Sequence, residues 1–279
     1  MKTLSQEDFA FLARLLRRRS GLSLSPAKLE LVQRRLAPVM RRFGFKDATT
    51  LVRELRLGQE NLARAVTEAV TVHDTSFFRD ERIFARFKNE LLPSLLARRA
   101  RSKRLRLWCA ACATGQEAWS IAMILDGLGL QAAGWSLDLI ATDLSAEAVA
   151  RAEEGRYDGE EMARGLTSDQ RAFWFRPSGE QWRIADRLRR MLDFRVFNLL
   201  DSYGWLDDLD FIFCRNVLMY FDRAAKASVL ERVADTLAPD GLLLLGETET
   251  TEPLAGLFTA AGGDGVYARS GARVARLAG

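Results

Sequence analysis

Two acidic residues stand where the strands of a parallel sheet would end. Glu117 opens a helical segment shortly after the apolar run 104–111, and Asp143 closes the next apolar run, 135–143. Ligands of open α/β sheets bind beyond the carboxyl ends of the strands. An acid at a helix N-terminus repels phosphate and attracts ammonium, and an acid ending the second strand can accept hydrogen bonds from both ribose hydroxyls. The pair predicts a ligand that carries both groups.

The turn between the first run and its helix argues against a dinucleotide. A dinucleotide site needs G-x-G-x-x-G to bring the backbone against a pyrophosphate, whereas residues 111–117 read A-C-A-T-G-Q-E and contain only Gly115. A cationic or zwitterionic ligand without a pyrophosphate fits this turn better. With Asp143 as a ribose acceptor, the favoured ligand is S-adenosylmethionine. The alternative for Asp143 is a structural role as the cap of the following helix.

A third group of polar side chains lies between two helical segments. Residues 71–80 read T-V-H-D-T-S-F-F-R-D and hold the only histidine of the chain, His73, together with hydroxyl residues and Arg79. Histidine is the side chain that most readily gains or loses a proton near neutral pH, so His73 is the first candidate for acid–base work.

The three cysteines, Cys109, Cys112 and Cys214, are too few for a disulfide framework. Cys109 and Cys112 form a C-x-x-C pattern, which can be redox-active or half of a metal site. The chain has no second such pair, and its histidine is distant in sequence. We therefore favour small residues at a strand end and expect no metal.

Residues 1–71 predict a helical module. Apolar residues recur at the three- and four-residue spacing of an amphipathic helix at Leu29, Val32, Leu36, Val39, Met40 and Phe43. Basic residues fall on the other side and form what we call the basic stripe, made of Lys28, Arg34, Arg35, Arg41 and Arg42. The basic stripe is either an ordinary solvated face or a surface for an acidic partner. Pro38 predicts a kink or a break in this helix.

From residue 104 the pattern alternates between strands and helices, which predicts a parallel sheet with covered faces. Strands are expected at 104–111, 135–143, 193–200, 209–216 and 242–247, and helices at 117–129, 145–155 and about 223–237. Ser145 and Asp222 are the expected caps of the last two helices. An interruption at about 156–190 predicts a short helix starting near Thr167 and a β-hairpin turning at residues 177–179. The last 25 residues could add an antiparallel edge.

Length and charge suggest the domain organisation. A chain of 279 residues suits a small module beside a larger one. We expect a helical domain at 1–71, a linker and connecting helix at 72–103, and an α/β domain at 104–279. Residues 1–71 carry 14 Lys and Arg against 7 Asp and Glu, so the helical module is the basic one. The sequence has no apolar run that could span a bilayer and no signal peptide pattern, which predicts a cytoplasmic protein.

Six segments resemble, in order and spacing, the CheR family of chemoreceptor glutamate methyltransferases. They are TSFFRD (75–80), WCAACATGQEAWSIAM (108–123), ATDLS (141–145), FNLL (197–200), FIFCRNVLMYFD (211–222) and LAPDGLLLLGETE (237–249). The resemblance covers essentially the whole chain. It is specific because the segments occur together, whereas no single segment would identify the family. It implies a class I methyltransferase Rossmann-like sheet with a small inserted β-subdomain, preceded by an all-α N-terminal domain.

The resemblance also implies how the residues share the work. Thr75 and Arg79 would close over S-adenosylmethionine, which leaves as S-adenosylhomocysteine, and His73 stands where the family usually has asparagine. Glu117 would bind the methionine amino group and Asp143 the ribose. The other implied cofactor contacts are Asn198 and Leu199 on the adenine side and Cys214 and Arg215 in the cofactor wall.

The implied reaction methylates a glutamate side chain of a receptor helix and forms a glutamyl methyl ester. A carboxylate is already nucleophilic at neutral pH, so catalysis rests on alignment and exclusion of water and needs no general base. Tyr220 would lie near the transferred methyl group, and Arg79 or Arg215 would orient the incoming carboxylate. Each of these has a structural alternative, the arginines as ion-pair partners and Tyr220 as a core aromatic.

Departures from the family pattern occur at three places. Besides His73, residues 115–119 read G-Q-E-A-W where the family usually has G-E-E-P-Y, and residues 246–249 read G-E-T-E where it has G-H-S-E. The roles that the resemblance implies for Glu117 and Asp143 are not affected by these departures. An imidazole, like the family's asparagine at this position, can donate or accept a hydrogen bond.

The partners follow from the resemblance and the charge. The basic stripe would face acidic receptor helices in the cytoplasm, because complementary charge steers encounter. In the family, the inserted β-subdomain can bind a receptor's C-terminal peptide by strand addition, and the resemblance offers the same site here as a second place for a receptor. We expect neither nucleic acid binding nor membrane insertion. The alternatives are a methyltransferase acting on a nucleic acid or small molecule, and a catalytically weak protein that senses the cofactor.

Overall fold

A computed structural model of the protein describes residues 4–263 and 265–271. Contacts divide the chain into two units. The first unit holds the chain up to Val72 together with Met219–Lys226, and the second holds His73–Leu218 and the residues from Ala227 onward. A segment from late in the sequence therefore belongs with the N-terminal residues.

The first unit contains the helices α1 (Gln6–Ser20), α2 (Leu29–Phe43), α3 (Ala48–Arg56) and α4 (Glu60–Val70), with a 3₁₀ turn at Pro26–Lys28. Capping side chains fix two of the helix starts. Ser5 Oγ accepts from the backbone N–H of Asp8 at 3.1 Å, and Asp47 Oδ1 accepts from that of Thr50 at 2.8 Å. The apolar faces of the helices meet in a single core.

Pro38 does not split α2. The helix runs through this residue over 15 residues, so the expected break is not found. An interior proline removes one backbone hydrogen bond. Leu36, Val39 and Met40 on either side of it are buried in the core, and their burial holds the segment in helical form.

The second unit contains the strands β1 (Arg104–Ala110), β2 (Ser136–Asp143), β3 (Arg156–Tyr157), β4 (Phe175–Ser178), β5 (Gln181–Ile184), β6 (Leu192–Val196), β7 (Leu209–Cys214), β8 (Leu237–Leu244), β9 (Phe258–Ala260) and β10 (Val266–Arg269). Seven of them form one sheet in the order β6-β2-β1-β7-β8-β10-β9. The pairings among β6, β2, β1, β7 and β8 are parallel, and β10 and β9 add the expected antiparallel edge. The predicted fold class is confirmed.

The order of the strands fixes where a ligand can bind. From β1 the chain builds β2 and β6 on one side and returns to build β7 and β8 on the other. The connections on the two sides lead away from β1 in opposite directions, which opens a crevice at the carboxyl ends of β1, β2 and β7.

The helices of the remaining chain are α5 (Glu81–Arg86), α6 (Leu92–Arg98), α7 (Gln116–Gly127), α8 (Ala146–Glu154), α9 (Gly159–Ala163), α10 (Ser168–Trp174), α11 (Asp186–Arg189) and α12 (Arg223–Thr236), with a π-helical turn at Phe87–Leu91. The predicted caps are confirmed. Ser145 Oγ accepts from Ala148 N at 3.2 Å, and Asp222 Oδ1 accepts from Ala225 N at 2.9 Å. Helix α7 is buried from its first residue to Leu125, as expected for a helix covering a sheet.

The inserted segment forms a second sheet in the order β3-β5-β4. The expected hairpin is β4 and β5, and Thr167 caps the helix before it. Pro177 lies within β4 rather than in the turn. Because β4 is an edge strand, the missing N–H of proline is tolerated there. Three elements of this region were not predicted, β3, α9 and α11, because each is too short to show a period.

Within the described residues, no helix combines the length and the apolar character that crossing a membrane requires.

Candidate functional site

The turn after β1 is tied to the end of β2. The backbone N–H of Cys112 donates to the carbonyl of Thr142 at 2.8 Å, and that of Ala113 donates to Asp143 Oδ2 at 2.9 Å. Ala111 and Ala113 have φ angles of 56° and 49°. This left-handed conformation costs free energy for a residue with a Cβ, and backbone strain of this kind concentrates at functional sites.

Gly115 closes the same turn and sets the start of α7. Its φ is 95°, and a Cβ at this position would lie 2.8 Å from the Ala152 Cβ of α8. Only glycine lets α7 begin this close to α8. Helix α7 then starts at Gln116 and carries Glu117 in its first turn.

Asp143 ends β2 with its carboxylate buried. Its Oδ2 accepts from Ala113, as described, and its Oδ1 accepts from the backbone N–H of Ser145 at 2.9 Å. The cap of α8 is Ser145, so the capping alternative for Asp143 is wrong. The carboxylate instead orders the two turns on either side of it.

His73 lies beside this carboxylate. Its Nε2 is 3.7 Å from Asp143 Oδ1, and its side chain is 27% exposed. At this distance a protonated imidazole would form an ion pair with Asp143. The departure from the family's asparagine therefore puts a titratable group next to the predicted ribose acceptor.

Arg215, the residue after β7, joins two acids. Its Nη1 donates to Glu117 Oε2 at 2.6 Å, and its Nη2 donates to Asp80 Oδ2 at 2.5 Å and to the Arg79 carbonyl at 3.0 Å. The Arg215 side chain is fully buried, and that of Glu117 is 10% exposed. Glu117 also accepts a hydrogen bond from the thiol of Cys109 at 3.4 Å. The arginine thus fastens α7 to the connecting stretch 73–80.

These contacts support the structural alternative for Arg215, in which it is an ion-pair partner and does not orient the substrate. Two carboxylates occupy the ends of its guanidinium, so little of the group is free to receive a substrate. Its Nε is buried and has no hydrogen-bond partner within the described residues. An unsatisfied donor of this kind costs free energy unless a ligand or water meets it.

The connecting stretch is packed onto the same helix. The backbone N–H of Phe78 donates to Ser120 Oγ at 2.9 Å, and that hydroxyl donates to the Gln116 carbonyl at 2.7 Å. Phe77 is buried edge-on against Tyr157, with ring centroids 5.0 Å apart. Phe78 and Asp80 adopt φ angles of 49° and 59°. The stretch is therefore strained, and contacts within the second unit hold it.

Arg79 and Thr75 are half-buried members of this stretch. Arg79 Nη1 donates to the Asp74 carbonyl at 2.8 Å. The Arg79 guanidinium carries further N–H groups, and its backbone carbonyl is bound to Arg215. Arg79 is thus a cation linked through its carbonyl to Arg215, which in turn binds Glu117.

The other predicted residues occupy the carboxyl ends of β6 and β7. Asn198 Oδ1 accepts from the backbone N–H of Leu200 at 3.0 Å. Leu199 is buried, and its carbonyl accepts from the hydroxyl of Tyr203 at 3.0 Å. Cys214 is the last residue of β7 and is buried. Two other strands, β2 and β1, lie between β6 and β7 in the sheet, and all of these strands run parallel, so the residues lie at the same edge of the sheet.

Tyr220 belongs by its contacts to the first unit and packs against the helical core. Its predicted place near the transferred methyl group stays a prediction.

Glu249 was noted in the sequence only as the last residue of the 246–249 motif, with no role assigned to it. It is buried, and its Oε2 accepts from the backbone N–H groups of Asn216 at 2.6 Å and Gly246 at 2.9 Å. Asn216 follows Arg215 and has a φ of 58°. Glu249 thus braces the turn after β7 from the loop after β8. The sequence signal for this residue was the acid that ends the 246–249 motif.

The three cysteines are buried, and none forms a disulfide within the described residues. Burial, followed by the nearby acids, raises the pKa of the Cys109 and Cys112 thiols well above its usual value, which makes them poor nucleophiles. Among the described residues, no cluster of three or more His, Cys, Asp and Glu could hold a metal ion.

The residues present fit S-adenosylmethionine. Within the part of the chain that the structure describes, each oxygen of Asp143 accepts one hydrogen bond, which leaves a further lone pair for a ribose hydroxyl. Glu117 offers a negative charge to an ammonium group, whereas the same acid would repel a pyrophosphate. The buried, unpartnered Nε of Arg215 adds a donor without a protein acceptor.

Comparison with known proteins extends over both units. A family model described as the SAM-binding domain of CheR methyltransferases matches residues 73–265, and one described as their all-alpha domain matches residues 7–71. Chemotaxis protein methyltransferase 1 of Pseudomonas aeruginosa is 36% identical over 253 residues, which cover 88% of this chain and 91% of the relative. Chemotaxis protein methyltransferase of Escherichia coli is 34% identical over 274 residues, covering 96% and 92%.

The match thus includes the helical unit, the turn after β1 and the inserted sheet, with S-adenosylmethionine as the cofactor. The chain belongs to the CheR methyltransferase family.

Proposed function

We propose that the protein transfers a methyl group from S-adenosylmethionine to glutamate side chains on the cytoplasmic helices of chemoreceptors, as a protein-glutamate O-methyltransferase of chemosensory adaptation. The observation that carries the choice of acceptor is the state of Arg79. Its side chain is half-buried, donates to the Asp74 carbonyl and, among the described residues, has N–H groups left for a further acceptor, while its own carbonyl accepts from Arg215, which holds Glu117. A guanidinium matches a carboxylate in geometry and charge, which favours a carboxylate acceptor.

The cofactor would be held by residues at the carboxyl ends of the strands. Glu117 would bind its amino group and Asp143 its ribose, and the rest of its surroundings would come from His73, Thr75, Asn198, Leu199, Cys214 and Arg215. When bound, S-adenosylmethionine supplies an electrophilic methyl group on a sulfonium, with a neutral thioether as the leaving group.

The protein's own work is then alignment. Arg79 would orient the incoming carboxylate, and Tyr220 would lie near the methyl group. Arg215 would act mainly by holding Glu117 and the connecting stretch, since Asp80 and Glu117 occupy its guanidinium. A carboxylate needs no deprotonation at neutral pH, so His73 is not required as a base. Orientation and exclusion of water supply the rate enhancement.

The receptor would approach the exposed part of the basic stripe. Arg34, Arg41 and Arg42 are exposed. Arg35 is engaged within the unit, because its Nη1 donates to the carbonyls of Val70 and Thr71 at 2.7 and 2.8 Å at the end of α4. Three arginines would therefore attract an acidic receptor helix, and this attraction weakens with salt. The edge strand β4 offers a second place, where a receptor's C-terminal peptide could add as a strand.

Transfer of labelled methyl groups to receptor-containing membranes tests the proposal. Label should enter the receptor and be released by mild alkali, because a methyl ester hydrolyses and a methylated nitrogen does not. Membranes without receptors are the control for the acceptor, and Arg79→Ala should lower transfer. Label that appeared only in RNA or small metabolites, or that resisted alkali, would contradict the proposal.

A further inference from the structure

A segment of the α/β sequence is held by the helical unit. Met219–Lys226 comes shortly after β7 in the chain, but its contacts place it with the N-terminal helices. It contains Tyr220, to which the proposed function gives a place beside the methyl group. What holds this tyrosine is therefore a question about the first unit alone.

The loop between α1 and α2 holds the segment by its backbone. Leu22 and Phe221 form an isolated antiparallel bridge, and the backbone N–H of Ser23 donates to the Tyr220 carbonyl at 2.8 Å. Gly21 has a φ of 75°, and a Cβ there would lie 3.2 Å from the Phe221 ring. The main chain on both sides of this contact is fixed.

Side chains add two further contacts. Arg17 of α1 forms an ion pair with Asp222, the cap of α12. Lys28 Nζ lies 5.8 Å from the centroid of the Tyr220 ring. A cation at this distance over an aromatic face is attracted by the ring. Lys28 thereby restricts the direction in which the ring points, while the helical core supports it.

The basic stripe accordingly divides into three roles. Arg35 closes the end of α4, and Arg34, Arg41 and Arg42 are exposed to a partner. Among these five residues, Lys28 is the one for which the structure gives a contact with Tyr220. The residues of the basic stripe look alike in the sequence, but their contacts and exposure in the structure differ.

From these contacts we infer that the helical unit sets the position of Tyr220 and that Lys28 is a positioning residue for methyl transfer. The inference rests on the proposed function, because that function puts Tyr220 beside the reaction. The same unit then acts twice. Its exposed arginines govern how tightly a receptor is held, and Lys28 with the loop before it governs how fast a held receptor is methylated.

The test compares Lys28→Met with Lys28→Arg and with Lys46→Met, an exposed lysine of the same unit as the matched control. Steady-state transfer to receptor membranes gives kcat and the KM for receptor, and titration gives the Kd for S-adenosylhomocysteine. Spectra of protein labelled with 13C-tyrosine, recorded without cofactor, report the ring itself. The chain has four tyrosines, and Tyr220→Phe assigns the relevant signal.

The expected result for Lys28→Met is a fall in kcat of about fivefold, the size that a cation–π contact of about 1 kcal/mol supports. The KM for receptor and the Kd for S-adenosylhomocysteine should not change, and the Tyr220 signal should shift. Lys28→Arg should restore kcat and the signal, and Lys46→Met should behave as the wild type.

Three outcomes would overturn the inference. One is a rise in KM with kcat unchanged, which would return Lys28 to the receptor-binding surface. A second is an unmoved Tyr220 signal. A third is an equal fall in kcat when Lys28→Met is added to Tyr220→Ala, because a residue acting through Tyr220 has nothing to act on there. A wild type that methylates no receptor would contradict the proposed function instead, and the tyrosine signal would still test the contact.

Discussion

The two ends of the parallel sheet hold their charges in different ways. At the amino end, arginines and aspartates pair with one another. Arg99 binds Asp210 at 3.0 Å and Asp240 at 2.5 Å, and Arg106 binds Asp138 at 2.8 Å. These side chains link the beginnings of β1, β2, β7 and β8. The charges of these side chains are therefore paired within the protein.

At the carboxyl end, Arg215 pairs with Glu117 and Asp80, but two other buried acids are bound by the backbone. Asp143 and Glu249 each accept from two main-chain N–H groups. Of the seven non-glycine residues with positive φ in the described chain, five lie in the turns of this end or in the connecting stretch, namely Phe78, Asp80, Ala111, Ala113 and Asn216. The other two, Lys103 and Asp208, directly precede β1 and β7.

The difference teaches where the fold gives up stability for function. Paired charges at the amino end serve the structure, whereas strained turns and acids with spare acceptor capacity at the carboxyl end serve a ligand. Matched substitutions at the two ends should therefore separate stability from cofactor binding.

The largest effects are expected for the two buried arginines. Arg215→Met leaves Glu117 and Asp80 without their cation, and loss of one partner of a buried pair costs about 3 kcal/mol of unfolding free energy. Arg106→Met should also lower the unfolding free energy, but by less, because its partners Asp138 and Asp207 are 38% and 83% exposed and solvent screens these pairs. Only Arg215→Met should also weaken binding of S-adenosylhomocysteine. Urea unfolding and calorimetric titration measure the two quantities, and equal losses of affinity would remove the distinction.

A smaller effect is expected for the brace behind Asn216. Glu249→Gln replaces a charged acceptor of two N–H groups by a neutral one and should cost about 1 kcal/mol in unfolding free energy. It should also weaken S-adenosylhomocysteine binding, because the turn that carries Arg215 loosens. Glu247→Gln, at an exposed position two residues earlier, is the control. Identical behaviour of the two variants would mean that the brace has no influence on the site.

The ion pairs at the amino end of the sheet should make the free energy of unfolding depend on pH. The hydrogen bond from Arg99 lowers the pKa of Asp240, so this carboxylate stabilises the fold above its unfolded pKa and loses that contribution as the pH falls through its folded pKa. Burial raises the pKa of Asp210, which acts in the opposite direction. The stability difference between wild type and Asp240→Asn should therefore shrink as the pH falls below about 4. A constant difference across this range would argue against the pairing.

The smallest effect is expected at His73. His73→Asn restores the residue usual in the family and removes a contact of 3.7 Å with Asp143. A partly exposed contact of this length contributes about 1 kcal/mol or less. Titration with S-adenosylhomocysteine should show a change of a few-fold at most. Complete loss of binding would make His73 a principal ligand contact.

Local signals predicted much of the fold. The alternation of strands and helices, the caps Ser145 and Asp222, and the antiparallel edge all depend on residues close in sequence, and each is confirmed. The strand-end acids Glu117 and Asp143 could be found for the same reason. Parallel strands bring their carboxyl ends together whatever else the sequence contains.

Long-range pairings could not be predicted. Arg215 meets Glu117 and Asp80 across 98 and 135 positions of the chain, and nothing near any of the three announces the pairing. Lys28 belongs to a regular helical pattern, and only the folded chain brings Tyr220 to it. The short elements β3, α9 and α11 lacked a readable period.

The most direct measurement compares two aspartates of the same strand. Asp138 lies near the start of β2 and pairs with Arg106, whereas Asp143 ends β2 and binds the turns around it. Calorimetric titration of Asp138→Ala and Asp143→Ala with S-adenosylhomocysteine separates the two ends of the sheet. Asp143→Ala should weaken binding at least about tenfold, the effect of losing hydrogen bonds to a charged acceptor, and Asp138→Ala should leave the affinity unchanged while lowering stability. Equal affinities for the two variants, or a greater loss in Asp138→Ala, would contradict the assignment of the cofactor site to the carboxyl end.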